Sequence, residues 1–245
     1  MHRLSVVIPS KNGGDRLFRL IPAILQVLSG SVTEIIVVDD GGSDDNYRIL
    51  TRLASTCRKI SIVRLPTNVG QQLATMAGIL RSRGEWIVTM DDDGHPVHVL
   101  PRMIRAAELG ADLVYGYPVY PAFRPFRYAG TLANNMLFFL FLKKPPGNRV
   151  TSFRLIHRSL VRSSLLMHVR YPYLSAMLLS SSPAVRTVRY RAESAVGSRY
   201  SAGVLVRVFV SLVLYWGPLR AIGTRVRRPR SVSEFLSDRG IGVEA

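Results

Sequence analysis

The chain has 245 residues, enough for one large domain with a full core, and 47% of them are hydrophobic, which excludes a disordered bulk. Its single cysteine, Cys57, excludes an internal disulfide and a Cys-type metal site, and fits a reduced compartment such as a cytoplasm. The formal net charge of +17 is uneven: residues 1–112 hold 13 Lys/Arg against 12 Asp/Glu, residues 113–245 hold 20 against 4, and Glu193 is the only acidic residue between Leu113 and Ser233. A basic half on a neutral half points to an anionic partner.

In chain order, short apolar segments first alternate with amphipathic ones. Residues 4–9, 34–39, 60–65, 85–90 and 112–116 are rich in Val and Ile and mostly apolar on both faces, which predicts buried parallel strands. Between them, residues 15–29, 44–57, 71–83 and 97–109 carry helical spacing. Leu17, Leu20, Ile21, Ile24, Leu25 and Leu28 make one apolar stripe, and Pro101 falls near a helix start, where proline is tolerated. Repeated β-α units predict an α/β fold with a mostly parallel sheet and helices on both faces. The apolar run within residues 1–10 is shorter than a signal-peptide core and ends at Pro9, so no secretory leader is expected.

The second half reads differently. Residues 130–142 turn apolar toward their end and are followed by Lys143 and Lys144. Residues 203–216 are apolar almost all round, interrupted by Arg207, with Trp216 at their end and Arg220, Arg225, Arg227, Arg228 and Arg230 beyond. Neither stretch reaches the roughly 20 apolar residues of a spanning helix. A membrane-interface helix and a buried core helix both fit them. The tail after Ser231 is polar and is expected to fray.

Three polar sites follow expected strands: Pro9 to Asn12, Asp39 to Asp44, and Asp91, Asp92 and Asp93. In open parallel sheets, ligands bind outside the carboxyl ends of the strands. Converging carboxylates repel unless a cation or hydrogen-bond donors hold them, and a hard divalent ion with oxygen ligands answers that need. Asp44, at a strand-to-helix turn, reads as a helix cap. His95 and His98, three residues apart and close to the aspartates, fit a structural role, and a mixed His/Asp metal site of a hydrolase is the alternative. No G-x-x-x-x-G-K-[ST] loop exists and no G-x-G-x-x-G follows the first strand, which argues against phosphate-loop ATPases and Rossmann dehydrogenases.

The stretches from Ser5 to Asn12 and from Glu34 to Gly41 resemble the opening of family 2 glycosyltransferases. Asn68 to Gly78, then Gly84 to Asp93, resemble the branch that glycosylates polyprenyl phosphates, and the block from Thr151 to Arg158 is similar to that branch's acceptor motif. The ordered set spans residues 1–158 and continues weakly through Arg199 to Ser201. The resemblance implies a single GT-A-type, Rossmann-like domain over residues 1–200, with an apolar helix and basic tail over 201–245 that associate with the membrane. It sets Pro9, Lys11, Asp39 and Asp40 beside the nucleotide, Gly70, Gln71 and Asp92 by the donor, Asp91 and Asp93 on a pyrophosphate-bound Mg²⁺ or Mn²⁺, and Arg154 and Ser152 at the acceptor phosphate. Arg124, Arg127 and Arg158 are further candidates there. The sequence departs from the family pattern near Gly14 and Asp15, is one residue shorter over Gly94 to Pro96, and has Ser152 where some relatives carry Asp.

The implied function is an inverting, metal-dependent transfer from a nucleotide-sugar, UDP- or GDP-linked, to a polyprenyl phosphate, on the inner face of an anionic membrane with the enzyme peripheral to it. Two other readings stand beside it: the same fold with a soluble sugar or glycan acceptor, and a non-enzymatic basic membrane- or nucleic-acid-binding module. The last rests on charge without a recognition motif, so no nucleic-acid partner is expected.

Overall fold

A computed structural model describes residues 3–93, 95–119, 149–165, 167–169, 171–181, 184–192, 210, 213–216 and 230–242. The element order is β1 (Leu4–Ser10), α1 (Gly14–Val27), β2 (Val32–Asp40), α2 (Asp44–Ser55), β3 (Ile60–Leu65), α3 (Gln71–Arg81), β4 (Trp86–Thr89), a 3-10 turn (Val97–Val99) leading into α4 (Leu100–Glu108), and β5 (Leu113–Val119). After residues 120–148 come β6 (Arg154–His157), α5 (Arg158–Leu165), α6 (Leu174–Ser180), β7 (Val185–Arg191) and α7 (Val232–Ser237). All five strands and four helices expected in the first half are present, and their ends shift by a few residues.

The strands form one seven-stranded sheet in the order β3-β2-β1-β4-β6-β5-β7. β1 pairs in parallel with β2 and β4, β2 with β3, and β5 with β7; β6 alone runs antiparallel to both its neighbours. The mostly parallel α/β sheet expected from the sequence is therefore observed. All of β1, and β2 from Ile35 to Asp40, are buried on both sides, as interior parallel strands require.

Alternate residues send side chains into two apolar clusters, one on each face. Val7, Ile36, Val38, Ile87, Leu113, Tyr115 and Ile156 share one face with α3, α5 and α6; Val6, Ile8, Ile35, Val37, Val88, Val114 and Leu155 share the other with α1 and α4. Full burial of each such side chain contributes about 1.5–3 kcal/mol. α3 lies flush on the sheet because Gly78 presents no side chain: a Cβ there would stand 2.4 Å from Val7 Cγ1.

Ser43, and not Asp44, caps α2: its hydroxyl accepts from the Asn46 N–H at 3.2 Å, while Asp44 lies in the first turn and pairs with Arg64 at 2.5 Å.

Through Gly242 the tail is held to the fold, where the sequence led to the expectation of fraying. Ser231 and Glu234 form a reciprocal capping box on α7, and Val232, Phe235, Leu236 and Ile241 are buried in the α3-side cluster. Arg230 pairs with Val169 through two backbone hydrogen bonds, and the Arg81 guanidinium donates to the Gly242 carbonyl. Of the apolar stretch 203–216, residues 210 and 213–216 are described. Trp216 packs against the same cluster and its indole N–H donates to the Tyr171 carbonyl at 3.1 Å, so this end of the stretch is held by protein. Residues 130–142, the rest of 203–216, Arg124, Arg127 and Arg199 to Ser201 lie outside the described residues. No helix among the described residues is long and apolar enough to cross a membrane.

Candidate active site

β1, β2 and β4 end together at one edge of the sheet, and their carboxyl ends carry Ser10, Asp40 and the Asp91–Asp93 run. The reversed strand β6 brings a fourth group there. Because it enters the sheet from that same edge, the residues just before it, Ser152 and Phe153, lie beside the end of β4: Thr89 pairs with Arg154, and the Thr89 hydroxyl donates to the Ser152 carbonyl at 2.8 Å. A parallel β6 would have carried Ser152 to the opposite edge, about 13 Å away for a four-residue strand.

Asp91 is where these elements meet. Its Oδ2 accepts from the Ser152 hydroxyl at 2.9 Å, its Oδ1 accepts from the Gln71 side-chain amide at the start of α3, and its backbone N–H donates to His95 Nδ1 at 2.8 Å. With Nδ1 accepting, the imidazole carries its proton on Nε2, which lies 3.8 Å from Asp91 Oδ2. Burial holds His95 below its ordinary pKa against the pull of the Asp91 charge, and nearby Arg154 pushes the same way as burial. Phe153 stacks on the His95 ring at 4.8 Å. These contacts tie the His95 ring to the Asp91 backbone and to Phe153.

Asp92 is turned the other way. Its Oδ2 accepts from Ser10 at 2.6 Å and from Arg16 at 2.7 Å, and its side chain is 1% exposed, so it braces β4 against α1. The sequence reading sets Asp92 beside the donor; the structure gives it these internal partners. Arg16 carries no signal of this in the sequence, because 76 residues separate it from Asp92. Asp93 is half-buried.

On the β2 side the two aspartates also differ. Asp40 is held by backbone: Oδ1 accepts from Val69 at 2.7 Å and Oδ2 from Gly70 at 3.0 Å, which ties the loop before α3 to β2. Gly41, at φ +64°, allows this turn, since a Cβ would lie 2.4 Å from the Asn68 nitrogen. Asp39 Oδ1 accepts from Gly42 and Asn46, but Oδ2 is buried without a hydrogen-bond partner, with Arg64 Nε at 3.9 Å. Burial raises the pKa of both carboxyls above the ordinary aspartate value. Pro9 is buried inside β1, beyond the last residue that pairs with β4, so its missing N–H costs no ladder bond on that side. Lys11 is exposed on the following turn, and Asn12 of that turn, at φ 55°, accepts from the Ser43 N–H at 2.9 Å.

Arg154 opens β6 and is 3% exposed. Its Nε donates to the Ser152 carbonyl at 3.3 Å, its guanidinium lies 6.0 Å from the Tyr115 ring centroid, and one terminal nitrogen is buried with no hydrogen-bond partner. Burial pushes the Tyr115 phenol up to about 12, so that ring faces Arg154 neutral. A buried guanidinium with an unsatisfied donor, and with no carboxylate partner among the described residues, favours an incoming anion. Arg158 is used differently: it donates to the Gly84 carbonyl and, at 3.0 Å, to Ser82 Oγ, at the far end of β4.

The glycosyl transferase family 2 model matches residues 5–169, a span from β1 through the Ser152–Arg154 block. The chain belongs to glycosyl transferase family 2. This family 2 chain is 32% identical over 234 residues to the undecaprenyl-phosphate 4-deoxy-4-formamido-L-arabinose transferase of Yersinia enterocolitica, with 90% of this chain and 70% of the relative covered. It is 30% identical, with the same coverage, to the enzyme of that name from Serratia proteamaculans. The resemblance to the polyprenyl-phosphate branch is thus borne out. Among solved structures, glucosyl-3-phosphoglycerate synthase of Mycobacterium tuberculosis in complex with Mn²⁺, UDP-glucose and glycerol 3-phosphate superposes with a TM-score of 0.64 at 19% identity, covering 87% of this chain and 79% of that one. That likeness bears out the GT-A-type fold.

The residues at the end of β4 suit a hard divalent ion. Asp91 and Asp93 offer carboxylate oxygens, the Asp91 side chain is 25% exposed, and each Asp91 oxygen has only one hydrogen-bond donor in place. Among the described residues no three His, Cys, Asp or Glu converge as a metal cage. Mg²⁺-type sites commonly use one or two carboxylates and take their other oxygens from substrate phosphates and water.

Proposed function

We propose that this family 2 glycosyltransferase transfers a sugar from a nucleoside diphosphate-sugar, UDP- or GDP-linked, to a polyprenyl phosphate, with inversion. The observation that carries the reading is the meeting of Gln71, expected by the donor, and Ser152, expected by the acceptor, on the Asp91 carboxylate. The names of the relatives support the acceptor class, and the Mn²⁺ and UDP-glucose in the mycobacterial structure support the donor and metal class.

In this reading residues 1–200 carry the transferase site, α7 packs back onto that domain from the tail, and the enzyme is peripheral on the inner face of an anionic membrane. Asp39, Lys11 and Pro9 border the base and ribose. Asp91 and Asp93 would hold Mg²⁺ or Mn²⁺, which when bound would supply positive charge to offset the charge that develops on the departing phosphate. Gln71 and Ser152 orient the Asp91 carboxylate. The bond between the anomeric carbon and the β-phosphate oxygen breaks as an acceptor phosphate oxygen attacks from the opposite face. A phosphate monoester, with a second pKa of about 6, is largely dianionic at pH 7, so it needs orientation more than a strong general base. That accommodates Ser152 where some relatives carry Asp. Arg154 compensates the acceptor's charge with its unsatisfied donor.

The test is a screen of nucleotide-sugars against a short polyprenyl phosphate with Mg²⁺ or Mn²⁺, for wild type and Asp93→Asn. Metal-dependent transfer that Asp93→Asn abolishes while the thermal melt is unchanged supports the reading. Transfer within a few-fold of wild type in the variant removes Asp93 from the metal. Transfer to soluble sugars alone replaces the acceptor.

A further inference from the structure

One face of the β5–β7 pair carries a ladder of arginines that the reaction centre does not use up. Tyr115, Tyr117 and Val119 of β5 stand in register with Thr187, Arg189 and Arg191 of β7. Leu113, Tyr115 and Val185 of these strands belong to the α3-side cluster, and Val114, Val188 and Tyr190 to the other, so the odd-numbered residues share one face. At the inner end of the ladder Arg154 lies over Tyr115. Two residues further out, the Arg149 guanidinium lies 5.8 Å from the Tyr117 centroid, and its backbone N–H donates to Thr187 Oγ1. Beyond it Arg189 and Arg191 stand beside Val119, which is 46% exposed, and the three line, together with Tyr190 from the other face, an open depression at the carboxyl edge.

Charge on this face is one-sided. Arg149, Arg189 and Arg191 have no carboxylate within ion-pair distance among the described residues, and the sequence holds no acidic residue from Leu113 to Ala192. Elsewhere arginines such as Arg48, Arg64 and Arg230 have carboxylate partners. From Tyr115 to Val119 the ladder covers about 13 Å, from the buried Arg154 to the rim.

We propose that Arg189, Arg191 and Arg149, with Val119, form the surface that docks on an anionic phospholipid bilayer, presenting the carboxyl edge of the sheet to the headgroups. Guanidiniums without a carboxylate partner among the described residues, on a strand at the end of the described sheet, complement phosphodiester headgroups, and the exposed Val119 adds apolar contact at headgroup depth. The buried Arg154 lies at the inner end of the same face. The proposal extends the acceptor reading above, but its test reads vesicle binding alone, so the two stand or fall separately.

Full-length protein is sedimented with vesicles of phosphatidylcholine, with and without phosphatidylglycerol. R189Q/R191Q is expected to weaken binding to the anionic vesicles about 30-fold, from about 1 kcal/mol for each basic residue at the surface, and to leave binding to neutral vesicles unchanged. R52Q/R58Q removes the same charge from exposed positions at the opposite, β3 edge and is expected to change binding less than about threefold by comparison. Val119→Glu tests the same surface through a different strand and is expected to weaken anionic binding as well, while R189K/R191K keeps most of it. Equal losses in the two Arg→Gln pairs would show that net charge alone drives binding and would overturn the proposal. No loss in R189Q/R191Q together with none in Val119→Glu would overturn it too.

Discussion

The Ser152 hydroxyl donates to Asp91 Oδ2 across 61 residues of sequence, at 2.9 Å. The contact holds one carboxylate oxygen at the junction of β4 and β6, while Gln71 holds the other. Ser152→Ala is expected to lower kcat about three- to tenfold with little change in the thermal melt, because a hydrogen bond of about 1 kcal/mol that orients a reacting group is lost. Steady-state kinetics with varied metal check this. An unchanged kcat and metal dependence would separate Ser152 from the Asp91 function.

Arg154→Ala is expected to slow transfer to polyprenyl phosphate about ten- to hundredfold, while slow hydrolysis of the donor by water stays within a few-fold of wild type. Water brings no charge for Arg154 to compensate. Arg154→Lys keeps charge without the fork and should fall between. Both rates are measured on each variant. A parallel fall in the two would assign Arg154 to the donor or to the fold.

Asp39→Asn is expected to stabilise the protein at pH 7 and weaken nucleotide-sugar binding. Burial raises the folded-state pKa above the ordinary value of 3.8, so the folded chain holds that proton more tightly than the unfolded chain. The wild-type contribution is therefore fully favourable below about pH 3.8 and is lost as pH rises through the folded pKa. Asn loses nothing over that window, so its advantage should be present at neutral pH and vanish toward about pH 4. Melting temperatures of both proteins from about pH 4 to 8 read the difference directly.

Phe235→Ala is expected to cost about 3–5 kcal/mol, the range for emptying a buried aromatic site. Phe235 is 2% exposed and lies in the cluster shared with α3. Urea denaturation checks it, and a cost below about 1 kcal/mol would mean that α7 contributes little to the folded domain.

The first half was legible because its strands are buried on both faces and bounded by turn residues, so composition and period agree with tertiary context. β6 and β7 were harder to read. Arg154 to His157 is four residues with a cation at its start, and Val185 to Arg191 carries three arginines, the polar pattern of a sheet edge. The positions of Asp91 and Ser152 were readable as motifs. Their contact was not, since it depends on β6 running backwards, which no local pattern encodes. Within the acidic runs, sequence could not separate Asp91 from Asp92 or Asp39 from Asp40, because the partners that distinguish them, Arg16, Ser10 and the Val69 and Gly70 amides, come from distant segments. The tail misled for a related reason: Val232, Phe235, Leu236 and Ile241 are too few to mark a core helix without the surface they meet.

The return of α7 to the α3 side makes the chain between Ala192 and Arg230 a closed circuit, clipped at one end by β7 in the sheet and at the other by the Val169–Arg230 bridge. A single protease cut inside that circuit should therefore leave two pieces that stay associated and co-elute under native conditions, separating only when denaturant releases Phe235 and its neighbours.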